Sequence, residues 1–271
     1  MRFIGGNNTM LKTSKQNEYG IIYSMWKIIR LLIISSIVII GLNIIPFILF
    51  GKLVSSFTNY SIALGVVCGT IICVRVIEKK ELAEIGFVFR KIDIVYFITG
   101  IFIAIVLNAM IISIASVQTG INLFPKLLIK FSQSERNVFA FMAIPLIEEL
   151  IYRGYILNNT FPKLKFIHRS ILSALLFSIP HWNNAENLSF GLFIFTFIFC
   201  TFIFGMFFNL IVFTTKSIWC GFGFHWSYNF LVATLFMNTS NYNLTVITTS
   251  VFLVIGLFML MKTKHISEIK T

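Results

Sequence analysis

Two adjacent glutamates and an arginine stand inside one apolar stretch of the chain. Glu148 and Glu149 lie near the middle of the apolar run 137–158, and Arg153 follows four residues after Glu149. A charged side chain at the centre of a bilayer costs roughly 2.5–3.5 kcal/mol on insertion scales, so three such side chains need compensating partners. Glu149 precedes Arg153 by one helical turn, which is the favourable order for an ion pair. The group therefore predicts a polar site within a helix bundle.

The two glutamates are predicted to differ in their surroundings. Successive residues of an α-helix point about 100° apart, so Glu148 faces away from the pair formed by Glu149 and Arg153. A carboxylate beside a guanidinium is held in its charged form, whereas a carboxylate in an apolar pocket favours its protonated form. Two acids in such different settings commonly divide the work of acid–base catalysis.

Two histidines within the apolar runs are the other ionisable candidates for this polar site. His181 lies at the end of the run 168–182, four residues after Phe177, and His225 lies in the run 217–237, four residues before Asn229. Taken singly, each of these polar residues is about as well explained by a hydrogen bond between helices. Together with the glutamates they occupy three runs, which is the pattern expected of side chains around one shared cavity.

The composition predicts a membrane protein that carries these residues on transmembrane helices. Of the 271 residues, 57% are hydrophobic and 12% are charged, and the mean hydropathy is +0.88, which excludes an ordinary soluble domain. A span needs about 20 apolar residues. The fold class predicted is all-α, a polytopic membrane bundle of about eight transmembrane helices enclosing a polar cavity. The runs are 28–50, 53–74, 94–117, 137–158, 168–182, 189–213, 217–237 and 244–262. The Phe-rich run 189–213 is expected to face lipid.

The net charge of +12 is explained by membrane topology. Seventeen of the 22 Lys and Arg residues fall on segments that are cytoplasmic if the N-terminus is inside, and four fall in the outer loops. This bias predicts a multi-pass protein with both termini in the cytoplasm. The partner of the basic segments is then the lipid bilayer rather than nucleic acid.

Three motifs in this order resemble a known family. They are Glu148-Glu149-x-x-x-Arg153, Phe177-x-x-x-His181 and His225-x-x-x-Asn229, with Ser217-Ile-Trp219 before the last. The pattern is similar to the CAAX-protease and bacteriocin-processing family (CPBP, or Abi) of intramembrane proteases. The resemblance suggests four regions. These are a cytoplasmic segment 1–26, an N-terminal transmembrane region 27–134, a catalytic core 135–237, and a last span with a cytoplasmic tail 238–271.

The resemblance also implies roles for the motif residues. Glu148 would be the general base that activates a water, and His181 would help to hold that water. His225 and Asn229 would stabilise the oxyanion of the tetrahedral intermediate. Glu149 with Arg153 would orient the site. Hydrolysis of a peptide bond needs such a base and such preorganised donors.

The function expected is therefore that of an integral membrane endopeptidase acting on a membrane-associated peptide or protein. The alternative is a non-proteolytic bacteriocin immunity or scaffold protein that retains the motifs. A proton-coupled transporter is less favoured, because no pair of broken-helix repeats is present. Richness in Ile, Lys, Asn and Phe suggests an AT-rich bacterial genome, and the location predicted is the cell membrane.

The need for a metal is left open by the sequence. Glu148, His181 and His225 are candidates for a three-ligand zinc site with one open position. The family has been described both as metalloproteases and as glutamate-dependent proteases. The chain contains no HExxH, so the ordinary zincin arrangement is excluded. No other cofactor is predicted.

Overall fold

The computed structural model describes residues 6–51, 55–120, 141–181, 199–235 and 250–255. Within those ranges every regular element is a helix and none is a β-strand, which confirms the predicted all-α fold. The main helices are α1 (Gly6–Phe50), α2 (Ser55–Ile71), α3 (Lys91–Thr119), α4, α5 (Phe166–Ser178), α6 (Cys200–Thr215) and α7 (Trp219–Leu235). Helix α4 joins an α-helical part (Ala143–Glu148), a π-helical part (Glu149–Ile156) and a last α-helical turn (Leu157–Asn159).

Three helices of the described chain are long and apolar enough to cross a membrane, judged by length and composition. They run over Gly20–Leu49 in α1, over Tyr60–Ile77 in α2 and its π-helical extension Ile72–Ile77, and over Lys91–Ile114 in α3. Many of their large apolar side chains are exposed, as expected of surfaces that face lipid. Helix α1 begins well before the predicted span 28–50. The multi-pass topology and the enclosed cavity stay predictions, and most of the predicted span 244–262 lies outside the described residues.

Helix α3 packs closely along α7. It begins with a capping box in which the Asp93 carboxylate accepts a hydrogen bond from the backbone N–H of Arg90 at 2.6 Å, and it ends at Gly120 in the left-handed region (φ 65°). A Cβ atom on Gly100 would overlap the Cys220 carbonyl of α7. Small residues let two helix backbones approach in this way. The helix that carries His225 is therefore held by a helix from the N-terminal region.

Helices α5 and α6 form a second close pair. A Cβ atom on Gly205 would lie 2.8 Å from the Cβ of Ala174, so the two backbones meet there. Next to this contact, the buried Asn209 donates to the Ser170 carbonyl at 2.9 Å. The expectation that the Phe-rich run faces lipid is wrong for Phe208, which is fully buried. It is wrong for Phe207 as well, because residues 207–212 are all buried, over more than one helical turn, where α6 packs against neighbouring helices.

Helix α4 lies in the interior, in contact with α2, α5, α6 and α7. Its π-helical part is almost wholly buried, although it carries two of the three charged residues of the first motif. A π-helical turn bonds residue i to residue i+5, is rare, and often marks a functional site. The sequence did not predict this widening of the helix.

A buried ion cluster ties α1, the end of α2 and α4 together around Glu78. One carboxylate oxygen is bonded by Arg30 and by the Tyr155 hydroxyl at 2.7 Å. The other accepts from the Asn159 amide at 2.6 Å and from the Lys27 ammonium at 3.2 Å. Burial by itself would raise the pKa of Glu78. The hydrogen bonds from Tyr155 and Asn159 and the charge of Lys27 outweigh burial, so the pKa of Glu78 lies below the ordinary value.

Candidate active site

The first motif lies at the junction of the α-helical and π-helical parts of α4. Glu148 is the last residue of the α-helical part and Glu149 is the first of the π-helical part. The side chains of Glu149 and Arg153 are fully buried, whereas 19% of the Glu148 side chain is exposed. The two adjacent carboxylates therefore occupy different environments, one closed and one open.

Glu149 and Arg153 form an ion pair with few hydrogen bonds. The distance from the Arg153 Nη1 atom to the Glu149 Oε1 atom is 3.5 Å. Among the described residues, no atom accepts a hydrogen bond from the three guanidinium nitrogens, and none donates to the Glu149 Oε2 atom. The guanidinium instead lies over two aromatic rings, 4.0 Å from the centre of Phe177 and 5.1 Å from that of Phe208. Such cation–π contacts compensate part of the cost of burying the charge.

His225 bridges the two glutamates. Its Nδ1 atom lies 3.2 Å from the Glu149 Oε1 atom, and its Nε2 atom lies 3.4 Å from the Glu148 Oε2 atom. A ring nitrogen that faces a carboxylate oxygen needs a proton between the two atoms. The imidazole ring therefore stands between the two carboxylates, with one nitrogen facing each.

His181 stands on the open side of Glu148. Helix α5 ends at Ser178, and a 3₁₀ turn carries His181 back so that its Nδ1 atom lies 2.8 Å from the Phe177 carbonyl oxygen. A carbonyl oxygen only accepts, so Nδ1 bears the proton and the neutral ring keeps a lone pair on Nε2. That atom lies 3.9 Å from the Glu148 Oε1 atom, and 20% of the side chain is exposed.

This geometry leaves a place for one water between Glu148 and His181. The 3.9 Å separation is too long for a direct hydrogen bond. A water bonded to both atoms at about 2.8 Å would subtend an angle of about 90° at its oxygen, which is tight but attainable. Both side chains are partly exposed, whereas Glu149 and Arg153 are fully buried, so the accessible edge of the group is on the side of Glu148 and His181.

The sixth predicted residue, Asn229, lies on α7 one turn after His225 and is partly buried. Because residues four apart lie on the same side of a helix, Asn229 shares the face of α7 that carries His225. The structure thus brings Glu148, Glu149, Arg153, His181 and His225 together, and it places Asn229 next along the same helix.

The metal candidates meet around Glu148 but are not arranged as a metal site. In the described part of the chain, no group of three His, Cys, Asp or Glu side chains is placed so that it could hold a metal ion. Each oxygen of Glu148 faces a different histidine, at 3.9 Å for His181 and 3.4 Å for His225. These contacts suit hydrogen bonding, directly or through a water.

Sequence reasoning missed one residue that contacts the site. The ring of Phe208 lies 5.6 Å from the His225 ring at an interplanar angle of 23°, in addition to its contact with Arg153. The only signal in the sequence was the neighbouring Asn209, because an amide within an apolar run indicates a packed helix face.

The helices of this chain bring a carboxylate–imidazole–carboxylate group, formed by Glu148, His225 and Glu149, together at one place. Residues 136–231 match the family model described as Type II CAAX prenyl endopeptidase Rce1-like. The match confirms the resemblance that the motifs predicted, and it includes all six predicted site residues while leaving out α1, α2 and α3. Neither a curated protein nor a solved structure matches the chain.

Proposed function

We propose that this protein is a membrane endopeptidase in which Glu148 activates a water for hydrolysis of a peptide bond. The family match supports a protease whose substrate is a peptide or protein at the membrane. The observation that carries the proposal is the open pair of Glu148 and His181, which faces outward from a closed group of charges.

The first step moves one proton. The water lies between the Glu148 carboxylate and the Nε2 lone pair of His181. Glu148 takes a proton from the water as the water oxygen attacks the carbonyl carbon of the substrate. His181 helps to hold the water because its Nδ1 proton is bonded to the Phe177 carbonyl and leaves Nε2 as an acceptor. A C–O bond forms, and the negative charge passes to the carbonyl oxygen.

The second step returns that proton. Glu148 gives it to the nitrogen of the leaving amine, the C–N bond breaks as the oxyanion re-forms the C=O bond, and a carboxylic acid and an amine result. The second proton of the water then passes from the acid to the amine, so the products leave as a carboxylate and an ammonium ion. The oxyanion formed between the two steps is stabilised by the N–H at His225 Nε2 and by the Asn229 amide. Donors fixed in advance act mainly on the transition state, and the loss of one costs about 10²–10³ in kcat.

The buried pair of Glu149 and Arg153 positions the imidazole of His225 for this chemistry. Glu149 faces Nδ1 of His225 at 3.2 Å, which orients the imidazole so that Nε2 points towards the open side. Arg153 balances the Glu149 charge within a fully buried setting. The net charge of the site does not change in the first step. Glu148 becomes neutral when it takes the proton, and the oxyanion carries the negative charge instead.

The proposal is tested with Glu148→Gln, which keeps the shape of the side chain and removes the base. We expect the variant to be inserted and folded, with turnover lowered about 10²–10⁴-fold. The membrane peptidomes of cells producing wild type or the variant are compared, with Glu84→Gln, an exposed site, as the matched control. A peptide that accumulates uncut only with Glu148→Gln identifies the substrate.

Two outcomes would overturn this function. Full cleavage by Glu148→Gln would remove the general base. Identical peptidomes for wild type, Glu148→Gln and a deletion would instead favour the immunity or scaffold protein. Zinc dependence is decided separately, by metal analysis of the active protein and by loss of activity with a chelator that added zinc restores.

A further inference from the structure

One aromatic ring outside the three motifs contacts both halves of the buried charge group. Phe208 of α6 is fully buried, and its ring lies 5.1 Å from the Arg153 guanidinium carbon and 5.6 Å from the centre of the His225 ring. The two rings are nearly parallel, at 23°. The Phe208 ring therefore contacts both the Arg153 guanidinium and the His225 imidazole.

Phe177 contacts the same two partners in a different way. Its ring centre lies 4.0 Å from the Arg153 guanidinium carbon, and it meets the His225 ring edge-on, at 6.0 Å and 82°. Arg153 thus has three aromatic neighbours, since the Tyr152 ring centre also lies 6.0 Å from its guanidinium carbon. Among the described residues, no atom accepts a hydrogen bond from its guanidinium nitrogens. In the absence of acceptors, the aromatic rings and the Glu149 carboxylate define the orientation of the guanidinium.

We propose that Phe208 is a positioning residue of the peptidase site, an inference that rests on the proposed function. Its ring fixes the plane of His225, so that Nδ1 faces Glu149 and Nε2 faces Glu148. The same ring holds the Arg153 guanidinium against Glu149. Phe208 touches neither water nor substrate and acts through these two side chains.

The neighbouring residue provides a matched comparison. Phe207 lies on the same helix and is buried with 8% of its surface exposed, and its ring meets Phe208 at 6.0 Å and Phe224 at 6.3 Å. It belongs to the apolar core between α3, α6 and α7. A substitution of Phe207 removes a buried ring of the same size from the same helix, and therefore measures the effect of lost packing alone.

The first test reads the position of His225 without using activity. The chain has four histidines, so protein labelled at histidine and held in detergent gives a small set of imidazole NMR signals. The His225 signal is identified by its loss in His225→Gln. The ¹⁵N shifts of an imidazole report the protonation and hydrogen bonding of its two nitrogens, so Phe208→Leu should change the His225 Nδ1 and Nε2 shifts as the ring turns away from Glu149 and Glu148. Phe207→Leu should leave them in place.

The second test reads turnover on a quenched fluorescent peptide that carries the cleavage sequence found in the peptidome comparison. Per folded molecule, Phe208→Leu should lower kcat about tenfold with KM changed by less than about twofold, because the loss affects the transition state. Phe207→Leu should leave both constants within about twofold. Phe208→Met, whose unbranched side chain fills more of the space, replaces the leucine variant if that variant does not fold.

The two tests separate the two ideas. A His225 signal that is unmoved by Phe208→Leu, or moved equally by Phe207→Leu, overturns the positioning role whatever the activity. A wild type that cleaves no peptide overturns the proposed function, and the NMR result then still decides the position of His225. Equal kcat for the two leucine variants overturns the role of Phe208 in an active enzyme.

Discussion

The two buried carboxylate clusters of this protein, around Glu78 and around Glu149, differ in how completely they are satisfied. Both oxygens of Glu78 are occupied by donors from two other parts of the chain, Lys27 and Arg30 of α1 and Tyr155 and Asn159 of α4. Glu149 has one oxygen in contact with His225 and Arg153, and its other oxygen has no hydrogen-bond donor among the described residues.

This difference separates a structural cluster from one suited to chemistry. A buried polar network stabilises a fold when every member has its partners, and a partly satisfied network is costly. The Glu78 cluster joins α1, α2 and α4, and it leaves the Arg30 Nε atom without a partner among the described residues. The Glu149 cluster leaves the Glu149 Oε2 atom and all three guanidinium nitrogens of Arg153 without one, next to a partly exposed carboxylate, and such perturbed surroundings are more common at functional sites.

The largest expected effect is on stability, in Glu78→Gln. This change leaves the buried Lys27 and the half-buried Arg30 without their counter-charge, so unfolding should become easier by about 3–5 kcal/mol. Thermal unfolding in detergent measures the loss, and kcat per folded molecule should change less than about threefold. Glu84→Gln, at an exposed glutamate, is the control. An unchanged melting temperature would mean that the cluster contributes nothing.

The second effect is on turnover, in Glu149→Gln. Without the carboxylate, His225 loses the acceptor for Nδ1 and Arg153 loses its ion partner, so we expect kcat to fall about 10²-fold. Stability should fall too, but less than in Glu78→Gln, because fewer contacts are lost. Peptide cleavage and thermal unfolding of the two variants give the comparison directly. If Glu78→Gln instead loses mainly kcat and Glu149→Gln loses mainly stability, the assignment of the two clusters is wrong.

A third effect concerns pH and the Glu78 cluster alone. Because the pKa of Glu78 is lower in the folded protein than its ordinary value of 4.5, the ionised carboxylate stabilises the fold above that value. This contribution is lost as the pH falls through the folded pKa. Melting temperatures measured from pH 7 into the acid range should therefore fall more for wild type than for Glu78→Gln. Parallel curves would show that another group is responsible.

The smallest effect is expected from Gly221→Ala. A Cβ atom at this position would lie 2.8 Å from the Glu149 Oε2 atom and 3.7 Å from the Phe208 Cδ1 atom. The carboxylate can move aside, so the fold should persist while kcat falls about threefold to tenfold. Gly41→Ala is the control, since a Cβ atom there meets nothing within 4 Å. Equal kinetics for the two variants would show that the position of Glu149 is not critical.

The Glu149 cluster was largely predictable from the sequence, and the Glu78 cluster was not. Charges inside apolar runs are conspicuous, and the spacing of Glu149 and Arg153 by one turn indicated their pairing. Glu78 lies in a stretch with Lys79, Lys80 and Glu81, where charge is unremarkable, and its partners come from distant parts of the chain.

The π-helical turn and the role of Phe208 were also hidden from the sequence. A π turn has no distinctive residue pattern, since it is set by packing around the helix. The chain has 31 phenylalanines, and nothing in the sequence distinguishes the one that contacts Arg153 and His225. The neighbouring Asn209 indicated a packed face, but the identity of the partners depended on the arrangement of α4, α6 and α7.

The close contact of α3 with α7 has a consequence for dividing the molecule. Backbone meets backbone at Gly100 and Cys220, and again at Phe97 and Gly223. Residues 136–231, which match the family model, include the α7 side of this contact and leave out the α3 side. If that segment were expressed by itself, the surface of α7 that packs against α3 would be uncovered. This surface includes Gly223, two residues before His225. Residues 136–231 therefore lack the α3 backbone that packs against the helix carrying His225.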